Sequence, residues 1–417
     1  MSRKVLSILL LLSLFVNIWG QADDVRALSV AERNAQMGFN DTIDRMAENF
    51  VEAYVVIAEP GDYLYTTLGH AAYHMKCPTF GLDYYFSMEG ENVPDAVWRF
   101  LAGKLKMGLV GIPAKDYLAE YEKDHRGVKE YKLNLSPVQK QKLWEVLDNS
   151  TDRWHNISYD YFHRSCAMAL VNVMNETIGE RNIHYPTHWP EKYNHTAGDL
   201  VYFQLHASNP WTLSLMRILC GTEADKDVRN ERKLICPSDL VEIWQQTMVE
   251  DRPLLDTEPM VSLPPKGVAG RIILTPEVFS IILLLLALLS IGTLWIPQDW
   301  VKVCGYVTDY ILLSIVTLLG VFLTYLIFIS HLPCTEWNWL LLVFNPLPAI
   351  LWHWRKYWAL PYVVGILFWI VGVIITPYMV AYMEHIILAM AFSIVLLKQF
   401  IEINKSINKV QVYENKK

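Results

Sequence analysis

The chain has 417 residues, of which 53% are hydrophobic, and that excess collects after residue 273, so the chain is not soluble throughout. Its formal net charge is −7 with no long acidic or basic block, which speaks against nucleic acid as a partner. In chain order, Met1-Ser-Arg-Lys4 is basic, Val5 to Trp19 is apolar, and Gly20 precedes the polar stretch Gln21-Ala-Asp-Asp24. That layout predicts a secretory signal peptide over residues 1–20.

Residues 22–250 read as one mixed α/β exported domain. Ala53–Ala58 is rich in strand formers and ends in the turn Glu59-Pro-Gly-Asp62. A second strand, His70–Met75, follows Gly69, and Cys77-Pro-Thr-Phe-Gly81 turns the chain into a third, Leu82–Ser87. Further on, Leu170, Val171, Met174 and Ile178 recur at helical spacing and Gly179 stops the run. Ser165 is the N-cap of that helix, which puts Cys166 in its first turn.

Residues 251–272 carry Pro253, Pro259, Pro264 and Pro265 and read as a linker. Five apolar runs follow, at Val278–Ile296, Tyr310–Ser330, Trp337–Trp352, Ala359–Met379 and Tyr382–Ile403. They make a membrane domain over residues 273–403, with a cytosolic tail at 404–417. The third run is broken by Asn345, Pro346 and Pro348; a Pro-kinked helix whose freed carbonyls Asn345 satisfies is weighed there against a substrate contact. In the last run Lys398 is expected to snorkel to the interface. With residues 22–270 outside, Lys302, Arg355, Lys356, Lys405, Lys409, Lys416 and Lys417 all fall in the cytosol. The opposite loops, around His331–Glu336 and Val380–Glu384, contain no Lys or Arg, which satisfies the positive-inside rule.

A thiol at a helix N-terminus feels unpaired N–H groups and the positive end of the helix dipole, both of which favour the nucleophilic thiolate. Cys166 is therefore the candidate nucleophile. His70, which starts a strand beside a glycine, is the candidate base, and Asp83 on the next strand is the candidate orienting group. His74 shares the face of His70 and is the reserve choice, with His155 and His163 behind it. His184, His188 and His195 lack a carboxylate at metal-ligand spacing and read as exposed loop histidines, so neither a metal nor a cofactor is expected.

The segments Gly69-His-Ala-Ala72, Gly81-Leu-Asp83, Phe100-Leu-Ala-Gly103, Lys132-Leu-Asn-Leu-Ser136, Tyr159-Asp-Tyr-Phe162 with Cys166, and Gly221-Thr-Glu-Ala-Asp225 stand in an ordered set. Together they resemble the N-terminal periplasmic domain of the bacterial lipoprotein N-acyltransferases of the Lnb type, and the spans around Asn345-Pro346-Leu347 resemble that family's membrane part. Where the family commonly carries Asn before its cysteine, this chain has Ser165. The resemblance implies an α+β, circularly permuted papain-like exported domain, with histidine ahead of cysteine in the chain, followed by an all-α membrane domain of five transmembrane helices. It also implies a bacterial cytoplasmic membrane location, a phospholipid acyl donor, the diacylglyceryl-cysteine N-terminus of a lipoprotein as acceptor, and a Cys166 thioester between them. The rival readings are an envelope cysteine peptidase or amidase, with water as final acceptor, and a non-enzymatic envelope assembly protein.

Overall fold

The computed structural model of the chain describes residues 44–91, 93–187, 196–226, 236–265, 273–375 and 381–414. The expected signal peptide, His188 and His195 lie outside them. The described residues divide into two compact units, one holding 44–187 and 236–265, the other 196–226 and 273–414. Segment 196–226, read from sequence as part of the exported domain, thus belongs with the helices.

In chain order the first unit begins with β1 (Glu52–Ala58), β2 (His70–Cys77), β3 (Leu82–Gly90), α1 (Ala96–Leu101), β4 (Lys106–Pro113), α2 (Ala114–Lys123) and β5 (Val128–Lys132). It continues with α3 (Pro137–Arg153), β6 (Ile157–Ser158), α4 (Cys166–Ile178) and β7 (Ile183–His184). Next come α5 (Ala197–Leu205) and α6 (Pro210–Leu219) of the second unit, then α7 (Pro237–Trp244), β8 (Met248–Val249), β9 (Arg252–Pro253) and β10 (Met260–Leu263) of the first.

One antiparallel sheet of seven strands, ordered β10-β5-β1-β2-β3-β4-β6, organises this unit, and β7, β8 and β9 form a small second sheet. The central strands are apolar on both faces because both faces are covered. Tyr117 and Tyr121 of α2 pack with Val56, Ala72, Tyr85 and Val128 on one face. On the other, α4 lies against β2, and Tyr73 donates from its hydroxyl to the Leu170 carbonyl at 2.7 Å. The expected linker is largely built into this unit: Leu254 and Leu255 are buried, and β10 pairs with β5. Prolines masked an alternation of apolar residues that is sufficient for short edge strands, the sheet positions that tolerate proline.

The second unit is all-α beyond residue 273, with α8 (Pro276–Gly292), α9 (Asp299–Phe328), α10 (Leu347–Ile350), α11 (Arg355–Ile375) and α12 (Met383–Glu414). Among the described residues, four helical stretches are long and apolar enough to cross a membrane: Pro276–Trp295, Asp299–Phe328, Trp352–Ile375 and Met383–Asn408. The fifth expected span, Trp337–Trp352, is instead a broken passage of short helical pieces, Trp339–Leu342 and Leu347–Ile350. Pro346 and Pro348 lack the N–H groups that a continuous helix needs. Even so, the passage packs along the C-terminal part of α9 and ends at α12. Thr335 bonds the Leu326 carbonyl, Asn345 lies against Gly320, and Arg355 bonds Gln399, which in turn bonds Asp309. Asn345 meets the backbone groups that the break leaves over. Its amide donates to the Leu341 and Leu342 carbonyls at 3.3 Å and to the Tyr362 hydroxyl at 2.6 Å, and its oxygen accepts from Leu347 N–H.

Lys398 does not snorkel. It is fully buried, donating to Asp309 at 2.7 Å and to Ser290 at 2.8 Å beneath the Tyr306 ring. An anion on the facing helix is a better partner than a distant interface when the surroundings are apolar. The expected tail from 404 is not separate either, since α12 continues to Glu414. The architecture is an α+β unit followed by an all-α unit, in the expected order.

Candidate active site

The β2–β3 hairpin sets the site. Its strands pair symmetrically about the Pro78–Gly81 turn, with Cys77 opposite Leu82 and Ala72 opposite Ser87, so two residues further His70 comes level with Glu89. Side chains alternate along a strand, which places His70, Ser87 and Glu89 on one face. The His70 Nε2 lies 2.7 Å from Ser87 Oγ, Ser87 donates to Glu89 Oε1 at 2.5 Å, and Nε2 is 3.8 Å from that carboxyl oxygen. A hydroxyl has one proton. Because Ser87 spends it on Glu89, it accepts from an Nε2–H of His70, and Nδ1 is left unprotonated. Gly69 precedes His70 at φ +80, where an added Cβ would meet the Ala58 carbonyl at 2.7 Å. Only glycine lets the chain enter β2 at this angle.

Cys166 is brought to the same strand from the other side. Ser165 caps α4, accepting from the Met168 N–H at 3.3 Å, so the thiol occupies the first helical position. The backbone N–H of Ala71, the residue after His70, is within hydrogen-bond reach of the sulfur, and so are those of Ala167 and Cys166 itself. The thiol is thus brought to the backbone of β2 at Ala71, the residue that follows His70.

The electrostatics describe a neutral pair. Burial, with a smaller contribution from the Arg126 charge, holds His70 down at about 4. Burial pushes the Cys166 thiol up; the three N–H groups oppose that rise and Glu89 adds to it. Burial also pushes Glu89 up to about 7, against the Ser87 hydrogen bond and the Arg126 charge. The helix-terminus effect expected to favour the thiolate is present but is outweighed by desolvation. Arg126 itself is buried, donates to the Glu59 carbonyl at 2.8 Å and lies over the Tyr121 ring.

Asp83 is not brought to His70. It lies opposite Lys76 at the far end of the hairpin and bonds Nε2 of His74 at 2.5 Å. Six residues of strand, roughly 20 Å, separate the two ends. His74, the reserve base, is locked between Asp83 and Glu130, whose Oε2 is 2.6 Å from Nδ1, and stacks on Tyr85 at 3.9 Å. Glu130 is buried, yet hydrogen bonds from His74, Ser262 and Tyr85 hold it below its ordinary value. His163 bonds Asp160, and His184 is exposed on β7. Ser87, Glu89 and Arg126 were not anticipated. The first two were recoverable from strand alternation, whereas Arg126 arrives from a loop with no periodic signal.

Residues 40–195 match the model of the Lnb N-terminal periplasmic domain, and residues 269–416 match that of the Lnb transmembrane domain. No curated protein and no solved structure matches the chain. The first match contains both Cys166 and His70, and the second contains all four long apolar helices. With both domains present in order over most of its length, the chain belongs to the Lnb family, as a membrane protein with a periplasmic domain.

Proposed function

We propose that the chain is a membrane-bound acyltransferase that N-acylates the diacylglyceryl-cysteine of lipoproteins, taking the acyl group from a phospholipid and holding it as a thioester on Cys166. The observation that carries this reading is the junction of Cys166 and β2: a thiol in the first turn of a helix, reached by the N–H of Ala71, the residue that follows His70 on the strand. A helix-borne thiol packed on an antiparallel sheet that carries the histidine also supports the papain-like reading.

In the first half-reaction the sulfur attacks the ester carbonyl while Nδ1 of His70 takes the thiol proton. Backbone N–H groups at the start of α4 stabilise the oxyanion. The intermediate collapses, the C–O bond breaks, and His70 returns the proton to the departing lysophospholipid oxygen. In the second half-reaction the neutral α-amine attacks the thioester, His70 removes the proton from nitrogen, and the C–S bond breaks with the sulfur reprotonated. Ser87 and Glu89 hold the imidazole so that Nδ1 stays the accepting nitrogen throughout.

Intact mass of the protein after incubation with phospholipid vesicles tests the reading. A fatty-acyl adduct should appear on the wild type, be absent from Cys166→Ala, and discharge onto a diacylated lipopeptide with a free α-amine. An adduct lost to water at the same rate with or without the lipopeptide would make the enzyme a hydrolase instead. Wild-type lipoprotein N-acylation by Cys166→Ala would remove the catalytic proposal altogether.

A further inference from the structure

The start of α12 carries a polar cluster that the chemistry above does not use. Tyr382 donates to the Gly198 carbonyl at 3.3 Å and lies against Tyr202, which seats this end of α12 on α5. Glu384, only 5% exposed, accepts a hydrogen bond from Ser214 of α6 and has the His385 Nδ1 at 3.8 Å. His385 is 3% exposed, and neither of its ring nitrogens has a hydrogen-bond partner among the described residues. Arg217, on the same helix as Ser214, is committed to Asp225 at 3.1 Å, with both side chains buried. The Arg217 charge is nonetheless felt at His385. Glu277 at the start of α8 adds a further negative charge to the field at Glu384.

Among the described residues, then, Glu384 meets no Lys or Arg. It stands in the first turn of a 32-residue helix, where the helix dipole favours the ionised carboxylate. A buried carboxylate held by Ser214 and its own backbone N–H, beside an imidazole whose ring nitrogens are both unpaired among the described residues, leaves polar capacity that folded proteins rarely leave unmet. Ionisable groups at such positions in membrane helices mark ligand sites. The missing partner is cationic, has protons to donate, and arrives through an apolar environment.

We propose that Ser214, Glu384 and His385 form a binding site for a lipid-borne primary ammonium. Glu384 takes its charge and one N–H, and an imidazole nitrogen of His385 takes another. Two lipids present that group: the α-amine of a diacylglyceryl-cysteine and the ethanolamine headgroup of a phospholipid. The choice of these lipids rests on the acyltransfer reading; the ammonium chemistry rests on the cluster alone.

The test uses the full chain carrying Cys166→Ala, in nanodiscs of phosphatidylglycerol, so that no acyl transfer occurs and no competing amine is present. Binding of a diacylated lipopeptide with a free α-amine is compared with that of its N-acetylated twin. The free amine should bind tighter by about tenfold or more, the equivalent of one charged contact, and Glu384→Gln should abolish the difference while Glu384→Asp retains it. Competition by phosphatidylethanolamine vesicles, with phosphatidylcholine inert, would identify the headgroup as an occupant; lack of competition would identify the acceptor amine, and either supports the site. Equal binding of the two lipopeptides to the parent protein, a comparison needing no further variant, overturns the proposal. Retention of the preference in Glu384→Gln overturns it too. Neither failure bears on the Cys166 adduct, which is read separately by mass on the wild type.

Discussion

His70 is oriented by a hydroxyl that is itself oriented by a carboxyl, and this arrangement makes its influence dependent on pH. Removing the base, His70→Ala, should cost roughly 100- to 10,000-fold in turnover. Ser87→Ala should cost less, and Asp83→Asn least, because Asp83 bonds His74 and not His70; initial rates of lipopeptide acylation rank the three. A severe loss in Asp83→Asn with Ser87→Ala unimpaired would overturn the assignment. Glu89, held at about 7, becomes an anion as pH rises through neutrality and then draws Ser87 and the imidazole N–H more strongly, so the wild-type rate should rise across that range and Glu89→Gln should lose the inflection. Stability has the opposite sign. A carboxyl raised from its ordinary 4.5 is protonated in the folded state where the unfolded chain has already ionised, so its contribution is complete below 4.5 and is lost as pH climbs through about 7. Relative to wild type, Glu89→Gln should therefore melt at progressively higher temperature between pH 5 and pH 8; a constant difference would show that Glu89 is not perturbed. The placement of Cys166 at a helix start and of His70 at a strand start was legible in the sequence because a cap, a helical run and a glycine mark those positions. The orienting group was misplaced because proximity in sequence was followed, where the symmetry of the hairpin about Pro78–Gly81 carries position 70 to position 89 instead of 83.

At the scale of elements, the least expected feature is the bond between α9 and α12. Asp309 and Lys398 are both buried and are joined by Ser290 and Gln399, so three helices share one polar knot inside an apolar unit. Such a pair contributes little net stability over an apolar replacement, but losing one partner strands the other charge. Lys398→Leu alone should cost about 3–5 kcal/mol, while the double variant with Asp309→Leu should recover most of that. Denaturant unfolding in detergent micelles gives the comparison, and equal loss in single and double variants would show that the two residues are not coupled. The knot was hidden from sequence because Asp309 stands one residue before the apolar run from Tyr310, and so looked like a boundary when α9 in fact begins at Asp299. The Asn345 break was read more accurately. Two prolines within three residues exclude a regular helix, and an amide is the side chain suited to bond the carbonyls left behind.

For the whole chain, the open question is which end of the helical unit faces out, and that unit supplies its own markers. Gly221 donates to the Cys334 carbonyl at 2.5 Å and Asn338 to the Ile218 carbonyl at 2.9 Å, so the loop after α9 sits at the end where segment 196–226 folds back on the helices. Cys304 lies near the opposite end of α9, about 33 Å away from Leu326 at 1.5 Å per residue. With segment 196–226 outside, the loop containing Trp337 is outside too, and Cys304 faces the cytosol together with Lys302 and Arg355. The distribution of Lys and Arg demands the same orientation without reference to the fold. Cys304 and Trp337 are both exposed on the protein surface, so neither is shielded by packing. Single-cysteine variants retaining Cys304 or carrying Trp337→Cys, treated with a membrane-impermeant maleimide on intact spheroplasts, should label at 337 only, and both should label after permeabilisation. Labelling at 304 alone would invert the helical unit. It would also put the Glu384 cluster, which shares its end with segment 196–226, in the leaflet away from exported lipoproteins, leaving the proposed ammonium site with the wrong lipids.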